Sequence, residues 1–532
     1  MPEKKGQNFL HGAAIYTVGI IIIKILGAIY KIPLMSILHD DGYGHFMVTY
    51  NIYNFFLVIS TAGMPTALSR MIAEESSLGH KQQVRKIFRV TFLAFVALGA
   101  AGTLTMLLFR DWLAVHFGQD GLAAQGIFVM SPSVLLVCMT AAYLGYAQGH
   151  GDMIPTTICE VLETGSKVLV GLTLAILLAG AGKSMDICAA GALVGTSVSS
   201  LVAFTFARHK IHRRYVVNPP VAPESDVPRP GRKVLGDLLR IGIPLTISTA
   251  IMTLITLIDQ YQVRRILVNA LGYSEEVRDV LYGVYSKAVT LYNLPYAFVV
   301  PLMASIVPAI SAARMEKRLG DACYLAETSL RMATLICLPM CVGMGVLCWP
   351  CMNVLLDSQA QQGPLLLLLM SVASYLMVTT LMTNSILPAN GNERLSLISI
   401  MIGGVLKVLA NWILVSNPKI NIYGAPIGTI LCYLVITGMN LFFIARRMQR
   451  PMNIARIFLR NGISATAMGL AAWGVWTLLH GLMGSALIPF AAAVLAGVVV
   501  YGVMVIVLRA ITLEDVKLIP KGEKVAKLLH IR

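Results

Sequence analysis

The chain is 532 residues long, with 57% hydrophobic and only 13% charged residues, where soluble domains carry about 25% charged residues. That balance excludes a soluble globular enzyme and predicts an all-α polytopic membrane protein. Lys and Arg outnumber Asp and Glu by 42 to 26, for a net +16, but the bases sit between apolar runs instead of gathering on one face. Nucleic acid is therefore excluded as a partner, and anionic lipid headgroups are the expected one.

Apolar windows of about 20 residues predict fourteen transmembrane helices near 10–36, 44–70, 87–109, 122–147, 155–180, 186–207, 236–263, 280–312, 330–356, 363–388, 395–416, 421–445, 457–480 and 484–509. Lys4 and Lys5 precede the first run as in a secretory signal. No small-residue cleavage site follows, so the segment reads as an uncleaved first span. With the N-terminus inside, most bases fall on the inner side, and Arg110, Lys183, Arg264, Arg265, Arg278 and Lys419 fall outside. The positive-inside rule thus predicts two cytoplasmic termini.

The first span contains "IIIIKILGAIYKIPL", Ile20 to Leu34, with Lys24 and Lys31 seven residues apart on one helical face. A lysine at the centre of a membrane helix costs roughly 2.5–3.5 kcal/mol on insertion scales, so Lys24 is a candidate functional residue. Lys31, nearer the outer end, is placed either to snorkel to the interface or to line a cavity with Lys24. Gly12, Gly19 and Gly27 lie where close helix packing is expected.

In the fifth span Glu160, Glu163 and Lys167 are spaced i, i+3 and i+7. The spacing fits a self-neutralised structural stripe in which Glu163 pairs with Lys167; the alternative is a proton- or ion-responsive element. In the second half Asp259, Lys287 and Lys407 stand as isolated intramembrane charges, with Arg264 and Arg265 near the outer mouth.

Between the sixth and seventh spans lies "VVNPPVAPESDVPRPGRK", Val216 to Lys233, which reads as an extended linker. The expected organisation is an N-lobe over 1–215, a cytoplasmic Pro-rich linker over 216–234, a C-lobe over 235–450, two further helices over 451–510 and a cytoplasmic tail over 511–532. Two local matches support a duplication. Lys167-Val168-Leu169 recurs as Lys407-Val408-Leu409 at a spacing of 240, and "GALVGT" from Gly191 recurs as "GAPIGT" from Gly424 at 233. A six-helix repeat crosses the membrane an even number of times, so the two lobes are parallel repeats of the kind that build transporters with a substrate site between the halves. Several cations against few midplane acids favour an anionic substrate, phosphate or pyrophosphate above all.

The arrangement resembles the multidrug/oligosaccharidyl-lipid/polysaccharide (MOP) superfamily, in its polysaccharide-transporter and MurJ-like branch. "GMPTALSRMIAE", Gly63 to Glu74, resembles the second-helix ending of the stage V sporulation protein B-like group, and places Arg70 there. "LYGVYSKAVTLYNLPYAFVVPLMASIVPAIS", Leu281 to Ser311, is similar to that group's eighth helix. "KILGAIYK", Lys24 to Lys31, resembles the MurJ first helix, with Tyr30 at its second cation position and Lys31 displaced by one. The charged pair of the MurJ eighth helix falls on Thr290 and Asn293, with Lys287 the nearest cation.

The resemblance implies a flippase that moves a lipid-linked oligosaccharide of the undecaprenyl-pyrophosphate type, a cell-wall or polysaccharide precursor like lipid II, across the bacterial cytoplasmic membrane. The polyprenyl tail would stay in lipid along helices thirteen and fourteen. It also implies a monomer without cofactors, driven by membrane potential or an ion gradient, with Lys24, Lys31, Arg70, Lys167, Asp259, Arg264, Lys287, Asn293 and Lys407 as substrate-site candidates and Glu160, Glu163 and Asp259 as ion-coupling candidates. The runner-up is a cation-coupled multidrug exporter of the MATE branch, which Asp259 would serve.

"CWPC", Cys348 to Cys351, has redox or zinc spacing but lies in an apolar run without a second ligand pair. His209 and His212 belong to a basic juxtamembrane stretch. No Walker loop, nucleophile elbow or H-E-x-x-H occurs, so the expected activity is transport and not catalysis.

Overall fold

A computed structural model describes residues 3–211, 228–358, 360–447, 454–483 and 486–508. Most of the Pro-rich linker and the tail after 508 lie outside the described residues. The chain divides into two compact units, Met1–Arg265 and Ile266–Arg532. Among the described residues there are helices and turns and no strands, as expected where lipid leaves backbone groups no partner but their own segment.

The first unit begins with α1 (Glu3–Ile37), α2 (His39–Thr61), α3 (Met64–Ser77) and α4 (Lys81–Leu108). After α4 a three-residue helix, α5 (Arg110–Trp112), runs into a π-turn over Leu113–Phe117. Then come α6 (Ala124–Gly149), α7 (Ile154–Gly180), α8 (Met185–Ile211) and the 39-residue α9 (Gly231–Asn269), which enters the second unit with its last four residues.

The second unit holds α10 (Glu275–Tyr292), α11 (Leu294–Met315), α12 (Leu319–Val346), the short α13 (Cys348–Pro350) with a π-turn over Cys351–Leu355, α14 (Gly363–Ala389), α15 (Glu393–Val415), α16 (Gly424–Arg447), α17 (Ile454–Leu482) and α18 (Leu487–Val507).

Among the described residues, eleven helical segments are long and apolar enough to cross a membrane. The other three expected spans, those near 10–36, 236–263 and 280–312, are also helical, as α1, α9 and the α10–α11 pair. Two expected single spans are interrupted. The second breaks at Ala62-Gly63 before Pro65, and the eighth breaks at Asn293 before Pro295. Proline removes one backbone donor and clashes with the preceding turn, so each helix restarts with its proline in the first turn.

The repeat suggested by two sequence matches is present as packing. In the first unit a Cβ on Gly195 would lie 2.5 Å from the Gly171 backbone, while Gly191 faces Leu174 and Leu178. In the second unit Gly428 faces the side chain of Asn411, and a Cβ on Gly424 would lie 2.6 Å from Val415 N and 2.9 Å from Leu414 Cβ. Gly171 and Asn411, like Leu174 and Leu414, are 240 apart, so equivalent helices meet in the same register. Small residues at these points let α8 press on α7, and α16 on α15.

The duplication extends to turns with no sequence identity. Asp120 N donates to Ala114 O at 2.9 Å and Ser358 N to Met352 O at 3.0 Å, closing equivalent turns in which Gln119 and Asp357 have positive φ, 51° and 48°. "CWPC" therefore occupies the counterpart of Arg110–Leu113, and all nine cysteines are free.

Candidate functional site

The strongest polar constellation of the first unit grows from the packing of α1, α2, α7 and α8. α1 lies close on α7, where Gly19 faces the methyl of Thr157 without room for a side chain. Tyr30, 3% exposed, crosses from α1 to α8 and donates its hydroxyl to Ala192 O at 3.2 Å. On α2 the rings of Tyr43, Phe46, Tyr50 and Tyr53 follow one another at centroid spacings of 5.7, 6.1 and 6.2 Å.

Into this aromatic surround α7 sends Lys167. Its Nζ lies 5.3 Å from the Tyr30 ring centroid and 5.0 Å from that of Tyr50. Ring faces carry the negative lobe of the aromatic quadrupole and hold an ammonium where hydration is restricted. Lys31 is half-buried and within electrostatic reach of Tyr50, Lys167 and Lys24. Lys24 itself is exposed. Among the described residues no carboxylate forms an ion pair with any of these three lysines.

Glu163 is within electrostatic reach of Lys167 and Tyr53, and Glu160 within that of Glu163, yet neither makes an ion pair among the described residues. The expected Glu163 to Lys167 bridge is replaced by the two tyrosine faces. Chemically the cluster is an electropositive recess with hydroxyl and aromatic walls. Gly27, expected in a close contact, faces open space with nothing within 4 Å of a built Cβ.

A second buried network in this unit was not legible in the sequence. His45 Nδ1 lies 2.6 Å from Asp120 Oδ2, and Arg264 contacts the same carboxylate at 3.5 Å and donates to Gln119 O at 3.1 Å. Arg264, expected at an outer mouth, is fully buried within α9, which runs on past it; Arg265 beside it is exposed. Asp259 is 8% exposed on the same helix, and Asn51 donates to Gln260 Oε1 at 2.8 Å. The one sequence signal for the network is an arginine in an apolar helix; its partners lie far away in the chain.

The remaining candidates are dispersed. Arg70 is exposed on α3. Lys287, 0% exposed, donates to Leu356 O at 3.0 Å, at the π-turn that follows α13. Asn293 is exposed at the α10–α11 break and donates to Val289 O at 2.8 Å. Lys407 is half-buried on α15. The second unit also holds an apolar cavity of about 710 Å³ walled by α12, α14, α16 and α17, with Val342, Gly345, Val372, Leu434, Gly469 and Trp473 on its surface.

Comparison with known proteins places this architecture. The family model for polysaccharide biosynthesis protein matches residues 9–314. The chain is 24% identical over 531 residues to the uncharacterized membrane protein YabM of Bacillus subtilis (strain 168), covering 98% of this chain and 96% of that protein. It is 21% identical over 525 residues to stage V sporulation protein B of the same organism, covering 97% and 98%.

Among solved structures, lipid II flippase MurJ in an inward closed conformation superposes with a TM-score of 0.66 at 14% identity, covering 93% of this chain and 99% of that one. An inward-facing MATE family transporter of the MOP superfamily gives 0.65 at 19%, covering 82% and 98%. The chain belongs to the polysaccharide biosynthesis protein family, on the fold shared by transporters of the MOP superfamily.

Proposed function

We propose that this protein is a flippase of the bacterial cytoplasmic membrane that moves an anionic lipid-linked sugar pyrophosphate by alternating access. The observation that carries this reading is the approach of Lys31 and Lys167, two half-buried ammonium groups of the first unit with no ion-pairing carboxylate among the described residues. Intramembrane cations ordinarily pair with acids or serve a ligand, and a pyrophosphate supplies the missing acceptors.

The apolar cavity of the second unit supports a substrate with a hydrocarbon part. Ser371 Oγ donates to Leu368 O and Thr466 Oγ1 to Gly462 O, so these two lining hydroxyls are satisfied within their own helices. The names of two relatives, a lipid II flippase and a sporulation protein, are in keeping with a cell-envelope precursor. Movement of net charge would couple transport to the membrane potential at about 2.3 kcal/mol per charge per 100 mV.

The test is translocation of a fluorescent lipid-linked oligosaccharide in proteoliposomes, run over several headgroups. Loss in Lys31→Ala and Lys167→Ala is expected; full activity in both overturns the reading. A second reading, a cation-coupled exporter, draws on Glu160 and Glu163, two carboxylates in a spanning helix without ion pairs among the described residues. Dye efflux driven by a cation gradient, without lipid substrate, would favour it.

A further inference from the structure

The seventh span was expected to start the second lobe, yet α9 through Arg265 belongs to the first unit. The attachment begins where the linker ends. Arg229 donates its backbone N–H to Gln83 Oε1 at 2.7 Å, and its guanidinium lies 2.9 Å from Glu75 Oε1 and 4.0 Å from Asp237 Oδ2. Glu75 Oε2 meets His80 Nδ1 at 2.8 Å. One arginine thus joins the end of α3, the start of α4 and the first turns of α9.

Exposed ion pairs contribute little, but Glu75 is only 4% exposed and Gln83 3%. A carboxylate this far from water depends on its partners, and both of its oxygens are engaged. The contact continues up the helix. Gly242 faces Met64, with 2.8 Å from a built Cβ to Sδ, and Gly63 N donates to Thr246 Oγ1 at 3.1 Å.

We infer that Glu75 is the keystone of a clamp, with His80, Gln83 and Arg229, that fastens the linker's end to the α3–α4 turn, so that the N-terminal half of α9 is carried with α3 and α4 in any conformational change. Glu75 fixes the guanidinium, Gln83 fixes the backbone on which that guanidinium stands, and the Gly242–Met64 approach extends the join by three turns. The device is independent of what the protein transports.

Hydrogen exchange of the full-length protein in lipid nanodiscs tests it. Glu75→Ala should speed exchange roughly tenfold or more over 229–242, as for a segment released to local opening, with 154–180 unchanged. Gln83→Ala, which leaves the ion pairs in place, should speed exchange around Arg229 alone and serves if the first variant does not fold. A Met64→Cys/Gly242→Cys pair should form a disulfide on mild oxidation, since the built Gly242 Cβ lies 3.7 Å from Met64 Cα, and the yield should fall in the Glu75→Ala background. Unchanged exchange in both single variants, or no disulfide in the otherwise native protein, overturns the clamp.

Discussion

The ammonium of Lys167 lies 5.0 Å from the centroid of the Tyr50 ring, so a charge carried by α7 is held by an aromatic face of α2. The arrangement keeps a cation inside the first unit without neutralising it. That distinguishes a ligand-ready lysine from one that merely balances a nearby acid.

If the ring face holds the cation, Tyr50→Leu should destabilise the protein by about 0.5–2 kcal/mol, the range of cation–π contacts from exposed to desolvated. Tyr50→Phe, which keeps the face, should cost much less. Thermal unfolding of both variants in one detergent checks the difference.

Lys31 and Lys24 share a helical stripe but not an environment. Lys31→Ala should reduce translocation more than Lys24→Ala, because Lys31 is half-buried beside Tyr50 and Lys167 whereas Lys24 is exposed. Initial rates in proteoliposomes with the two variants side by side decide it; equal loss would remove the distinction.

Gly195→Ala should be strongly destabilising, by about 2 kcal/mol or more as for an overpacked core, since its new Cβ would sit 2.5 Å from the Gly171 backbone. Gly27→Ala should be neutral or slightly stabilising, because nothing lies within 4 Å and alanine is the better helix former. Melting temperatures of the two variants form a matched pair.

Asp120→Asn removes the charge shared by His45 and Arg264, both buried. Breaking a buried ion pair on one side costs about 3–5 kcal/mol, so this variant should show a markedly lower melting temperature. Asp111→Asn, at an exposed pair with Arg110, should not.

The lysines of the first helix, the glutamates of α7 and the tetrads of α8 and α16 were all legible as sequence, because a charge or a small residue in an apolar run is conspicuous against hydropathy. The repeat was legible at only two places. The paired π-turns share geometry without identity, since backbone hydrogen bonds close them whichever side chains they carry. His45 and Asp120, 75 residues apart, left no periodic trace.

By itself the sequence determined the class of the protein, its helical spans, the duplication and the kind of charge it keeps in the membrane. These follow from composition and from the 3.6-residue period, which are local. The tertiary structure decided which of those charges are paired. It turned Lys167 from a partner of Glu163 into a guest of Tyr30 and Tyr50, sank Arg264 beside Asp120, and fastened α9 to the first unit through Glu75. Each of these depends on which helix faces meet, and helical period fixes the face a residue shares without fixing what lies opposite it.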